Sequence, residues 1–79
     1  MPTFKRFNGF QIDVRSRDHN PPHFHLVDPD HECLVDLRTL QVMCGSYSRK
    51  VLAAAIAWVS EGDNIDDLLK EWSRLNERD

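Results

Sequence analysis

The spacing of the apolar residues changes once along this chain, at Gly45, and that change limits the folds open to it. Before it, Phe10, Ile12 and Val14 alternate with Gln11 and Asp13, Phe24 and Leu26 flank His25, and Cys33, Val35 and Leu37 share one parity. A period of two is that of strands with one buried face. After it, Val51, Leu52, Ala55, Ile56 and Val59 recur at helical spacing, as do Ile65, Leu68, Leu69, Trp72 and Leu75. Strands followed by helices predict an α+β fold: an antiparallel sheet of three to five strands, begun by an N-terminal hairpin, with two C-terminal helices packed on one face. The length of 79 residues predicts a single domain, 1–79, with no room for a second core.

Local signals place the elements. Asn8-Gly9 between residues 3–7 and 10–15 predicts a tight hairpin in which both turn residues accept positive φ. Residues 16–22 connect to the next strand, and Pro21 keeps Asn20 out of the helical region. A strand over 23–27, a turn at Asp28-Pro29-Asp30 and a strand over 32–37 follow. Residues 40–43 are a further short strand or an extended lead-in that ends at Gly45. Ser46 or Ser48 caps the first helix, Gly62 stops it, and Asn64 with Asp67 resembles a capping box for the second. The expected core joins Phe10, Ile12, Val14, Phe24, Leu26, Val35 and Leu37 to Leu52, Ile56, Val59, Leu68 and Trp72. The opposite sheet face is expected to be open.

That open face is where the chemistry concentrates. Asp18-His19-Asn20-Pro21-Pro22-His23-Phe24-His25 puts three of the four histidines within seven residues. In a strand, residues two apart lie on one face about 6.6 Å from each other. With Phe24 and Leu26 pointing in, His23 and His25 point out together, and the rigid Pro21-Pro22 bend returns His19 toward them. Asp13, Arg15, Arg17, Glu32 and Asp36 fall on the same side by the same parity. Three readings follow. Arg15 and Arg17 beside His19, His23 and His25 make a site for an anion or a nucleic acid. The same histidines with Asp18 or Asp36 make a transition-metal site suited to zinc, nickel or copper, in a metal-binding protein or a metal-dependent hydrolase. The third reading is structural, with surface imidazoles that handle no ligand. Arginines beside the imidazoles favour the first, carboxylates the second.

Composition narrows the setting. The apolar fraction of 41% and charged fraction of 29% are those of an ordinary soluble protein. No run is long enough for a membrane span, and the N-terminus lacks the apolar stretch of a secretion signal, so the expected compartment is the cytoplasm. Residues 1–26 carry four bases and two acids, whereas residues 27–79 carry six bases and eleven acids. An anionic partner therefore suits the N-terminal half alone. Burial is marginal at this size, which leaves room for a homo-oligomer or for a partner that covers an apolar face. Cys33 and Cys44, in no CxxC spacing, are expected as buried free thiols. Trp58 and Trp72 belong to core or partner contacts. There is no glycine-rich phosphate loop and no zinc-finger spacing.

The segment His19-Asn20-Pro21-Pro22-His23-Phe24-His25, together with Met1-Pro2-Thr3-Phe4-Lys5-Arg6-Phe7-Asn8-Gly9, Ser48-Arg49-Lys50 and Trp72, resembles a family of small bacterial proteins of unknown function. Leu26 stands where valine is usual in that family, and neither cysteine belongs to its pattern. The resemblance covers nearly the whole chain. It implies a second small protein encoded nearby, as in a toxin–antitoxin-like two-gene module. It carries no catalytic residue, so the sequence leaves open whether the chain is an enzyme.

Overall fold

Up to Gly45 the chain folds as a five-stranded antiparallel meander, and after it as two helices, which gives the α+β fold. The computed structural model describes residues 3–19 and 21–76. Its strands are β1 (Thr3–Arg6), β2 (Gln11–Asp13), β3 (His23–Val27), β4 (Glu32–Asp36) and β5 (Val42–Gly45), and neighbours in sequence are neighbours in the sheet. The helices are α1 (Arg49–Val59) and α2 (Asn64–Asn76). Among the described residues no helix is long and apolar enough to cross a membrane. Met1-Pro2 and the conformation expected of Asn20 lie outside the described residues.

The turns obey their sequences with two corrections. At the β1–β2 hairpin only Gly9 takes positive φ, at 96°, and Asn8 does not. The hairpin is closed by the Phe7 N–H donating to Phe10 O at 2.8 Å and by the stacked Phe7 and Phe10 rings, 4.5 Å apart. Between β4 and β5, Leu40 is not extended. It adopts φ 61° inside a turn in which Asp36 Oδ1 accepts the N–H groups of Arg38 and Thr39. The strand expected from Leu40 therefore starts at Val42. At Asp28-Pro29-Asp30 the turn forms as expected, with Asp28 Oδ1 accepting from the Asp30 and His31 backbones.

Register sorts the side chains into two faces. Ile12 pairs with Leu26, Leu26 with Cys33 and Phe24 with Val35, and all five are buried. Ala55 and Val59 of α1 and Leu68 and Trp72 of α2 close over them to form one continuous core. Phe10, Leu52 and Ile56, expected inside, are only half-buried at its margin. The other face carries Gln11, Asp13, His23, His25, Glu32 and Leu34, since Asp13 pairs with His25 and His25 with Leu34. This face is not open. Asp13, His23 and His25 retain only 4%, 4% and 6% of their exposure.

The helices start and stop for local reasons. Ser48, not Ser46, is the N-cap of α1, and its Oγ accepts the Val51 N–H. Trp58 lies edge-on to Phe7 at 5.3 Å, which docks α1 on the hairpin. Asn64 does not make the expected capping box. Its Nδ2 donates to Trp58 O at 2.7 Å, so it satisfies a carbonyl at the end of α1 and fixes the corner between the helices. Asp66 and Asp67 in the first turn of α2 and Arg74 in its last turn both match the helix dipole.

Candidate metal centre

His23 and His25 project from one strand to one side, as the alternation requires, and the 15–18 segment folds back across them. It brings Asp18 Oδ2 within 3.2 Å of His23 Nε2 and 3.0 Å of His25 Nε2. The ring centroids are 5.4 Å apart. One ligand atom from each of Asp18, His23 and His25 can be chosen so that all lie within 4.8 Å of one another.

The outer ring nitrogen decides the tautomer of His23. His23 Nδ1 is 2.8 Å from the Pro21 carbonyl, and His25 Nδ1 is 3.3 Å from Glu32 Oε2. The Pro21 carbonyl can only accept, so His23 carries a proton on Nδ1 and turns Nε2 toward Asp18, whereas His25 lies between two carboxylates, Glu32 at Nδ1 and Asp18 at Nε2, each able to accept from it. The Asp18 oxygen lies off the line of a hydrogen bond to His23 Nε2, which is buried and has no hydrogen-bond partner. An unsatisfied buried polar atom costs about 1–3 kcal/mol. A proton shared between Asp18 and His25 would leave His23 Nε2 as it is, whereas a cation between the three groups would serve all of them. Bonds of about 2.0 Å at a tetrahedral ion put neighbouring donors about 3.3 Å apart, close to the 3.0 and 3.2 Å observed from Asp18 Oδ2.

A polar chain surrounds these donors. Glu32 Oε2 also pairs with Arg15 Nη1 at 3.0 Å, Arg15 Nη2 with Asp13 Oδ2 at 3.3 Å, and Asp13 Oδ1 accepts from Gln11 Nε2 at 2.8 Å. Asp13, Asp18 and Glu32 against Arg15 leave this linked group with two formal negative charges, the complement of a divalent cation. A carboxylate behind one histidine and a carbonyl behind the other are the usual outer partners of metal-ligating rings.

The remaining candidates are placed apart. His19 is exposed and outside the group of donors. Arg15 reaches Asp13 and Glu32 rather than an imidazole. Arg17 is exposed, and its φ of 63° makes the bend that carries Asp18 inward. Asp36 lies opposite His23 in the register, but its Oδ1 is engaged by the turn that follows it. Sequence reasoning missed the Pro21 carbonyl and the closure of the face. A shallow groove at the hairpin end, lined by Arg6, Phe7, Phe10, Gln11, Val27 and Pro29, includes none of these candidates. No curated protein and no solved structure matches the chain. Residues 9–73, which take in β2 to β5, α1 and most of α2, match the family described as "Domain of unknown function (DUF4160)", and the chain belongs to that family.

Proposed function

We propose that this protein binds one divalent transition-metal ion of the zinc class through His23 Nε2, His25 Nε2 and Asp18. The observation that carries the reading is the buried, partnerless Nε2 of His23, whose tautomer is fixed from behind by the Pro21 carbonyl. Two imidazoles and a carboxylate suit zinc, nickel or iron, and three protein donors leave a coordination position for a further ligand. With 20% of its side chain exposed, Asp18 lies at the mouth of the site and gives the ion a way in. The anion or nucleic-acid reading is weaker, because the Arg15 charge is taken up by Asp13 and Glu32. The setting implied by resemblance, a toxin–antitoxin-like pair with a second small protein, belongs to the same proposal, with this chain as its metal-binding member.

The test is a metal analysis of protein purified without a histidine tag, followed by calorimetric titration of Zn2+ and Ni2+ into the metal-free chain. One equivalent is expected to bind, and His23→Ala and Asp18→Asn are each expected to weaken it at least tenfold. Wild-type protein that takes up no more metal than His23→Ala would remove the reading.

A further inference from the structure

Asp18 reaches the histidines from a loop, and a residue far along the chain holds that loop. Asn76 ends α2. Its Oδ1 accepts the Asp18 N–H at 2.7 Å, and its Nδ2 donates to Arg15 O at 2.9 Å and to Trp72 O at 3.0 Å. One amide thus uses its acceptor and both donors to grip the 15–18 loop at each end and to tie it to its own helix. Within the grip Arg17 is left-handed, a conformation that a non-glycine residue leaves readily when its neighbours are freed. The Asp18 backbone is therefore set by α2, while its carboxylate is set over β3. We infer that Asn76 is a positioning residue for the metal site: it fixes Asp18 over His23 and His25, so that metal affinity depends on the docking of the last turn of α2. The inference rests on the metal reading above and adds to it what controls the site.

A double-mutant cycle tests it, with Zn2+ alone as the probe and calorimetry as the readout. Outer partners of metal ligands typically contribute about tenfold to a hundredfold in affinity. Asn76→Ala is expected to fall in that range, with the fold and the histidine pair retained. Because the residue acts through Asp18, the double variant Asn76→Ala, Asp18→Asn is expected to bind no more weakly than Asp18→Asn alone. Independent effects would instead multiply, and a multiplied loss overturns the inference. In the Co2+-loaded chain, the visible spectrum of Asn76→Ala is expected to move toward that of Asp18→Asn, a change that a general loss of stability does not produce. The circular-dichroism melt of Asn76→Ala guards against an alanine variant that merely unfolds. It is expected to remain cooperative with wild-type secondary structure at the titration temperature, and a weakened affinity that only tracks a loss of folded chain would overturn the role. Wild-type affinity in Asn76→Ala refutes the positioning role and leaves the metal reading standing, whereas a wild-type chain that binds no Zn2+ refutes both.

Discussion

Two cysteines in register-adjacent strands show how much one position decides. Cys33 pairs with Gly45, and Cys44 pairs with Leu34, so the two thiols lie on opposite faces of the sheet and cannot join. Both are free, but only Cys33 is buried, which corrects the expectation of two buried thiols. Burial first, then the neighbouring Cys44, Asp28 and Glu32, push the Cys33 thiol above its usual value. The buried group stays neutral while the same thiol ionises in the unfolded chain, so its contribution to stability is present below the ordinary thiol pKa and fades as pH rises beyond it. Near pH 8 a disulfide reagent is expected to titrate one thiol per native chain and two in guanidinium chloride. Cys44→Ser should leave none reactive in the native state, and a rapid second thiol would contradict the packing of Cys33. Side-chain direction was legible in this way throughout: alternation put His23 and His25 on one side and Phe24 on the other. Burial was not legible, because it depends on a loop that returns from beyond the strand. The choice of Asp18 over Asp36 was half-legible, since an aspartate three residues ahead of Thr39 already signals a turn that engages its own carboxylate.

Elements were read well where one residue carries a mandatory conformation, and poorly where two partners compete for it. The strands at 23–27 and 32–36 and both helices follow from periodicity. The Asn64 cap failed because the side chain found the Trp58 carbonyl instead, a tertiary choice that no local pattern encodes. Gly45 marks the boundary for a physical reason. Its φ is 95°, and a Cβ there would run into Glu32 O and lie 2.7 Å from Cys33 Cα, both backbone atoms of β4. Ser46 N–H donates to that same Glu32 carbonyl at 3.0 Å, so β5 cannot retreat without losing the bond. Gly9 shares the positive φ but has nothing within 4 Å of its Cβ position. Gly45→Ala is therefore expected to destabilise by more than about 2 kcal/mol, combining left-handed strain with overpacking. Gly9→Ala should cost about 1–2 kcal/mol from strain alone. Guanidinium melts of the two variants against wild type make the comparison, and equal midpoints would show that β5 moves away freely.

Across the whole molecule, a small core and a charged site set the balance together. Eleven apolar residues are buried among the described residues, and a chain of 79 residues rarely draws more than about 3–5 kcal/mol of net stability from a single core. Against that stand Asp13, Asp18 and Glu32 gathered about one arginine and two histidines, and a buried Nε2 with no partner. On the proposal that a cation binds there, it would relieve both burdens in the folded chain and find no preassembled site in the unfolded one, so its binding would add directly to folding. At a free metal concentration a hundred times the dissociation constant the gain is about 2.7 kcal/mol, comparable with the core's whole surplus. For a domain of this size each kcal/mol moves the melting temperature by about 4–8 °C, so saturating Zn2+ is expected to raise it by about 10–20 °C. A chelator should reverse the rise, and Asp18→Asn should cut it by about half or more. Magnesium should not reproduce it, because imidazole is a poor ligand for that ion. Differential scanning fluorimetry of the chelator-treated chain with each ion provides the measurement. A melting temperature indifferent to zinc, or raised equally by magnesium, would mean that the imidazole pair and Asp18 are held by packing alone.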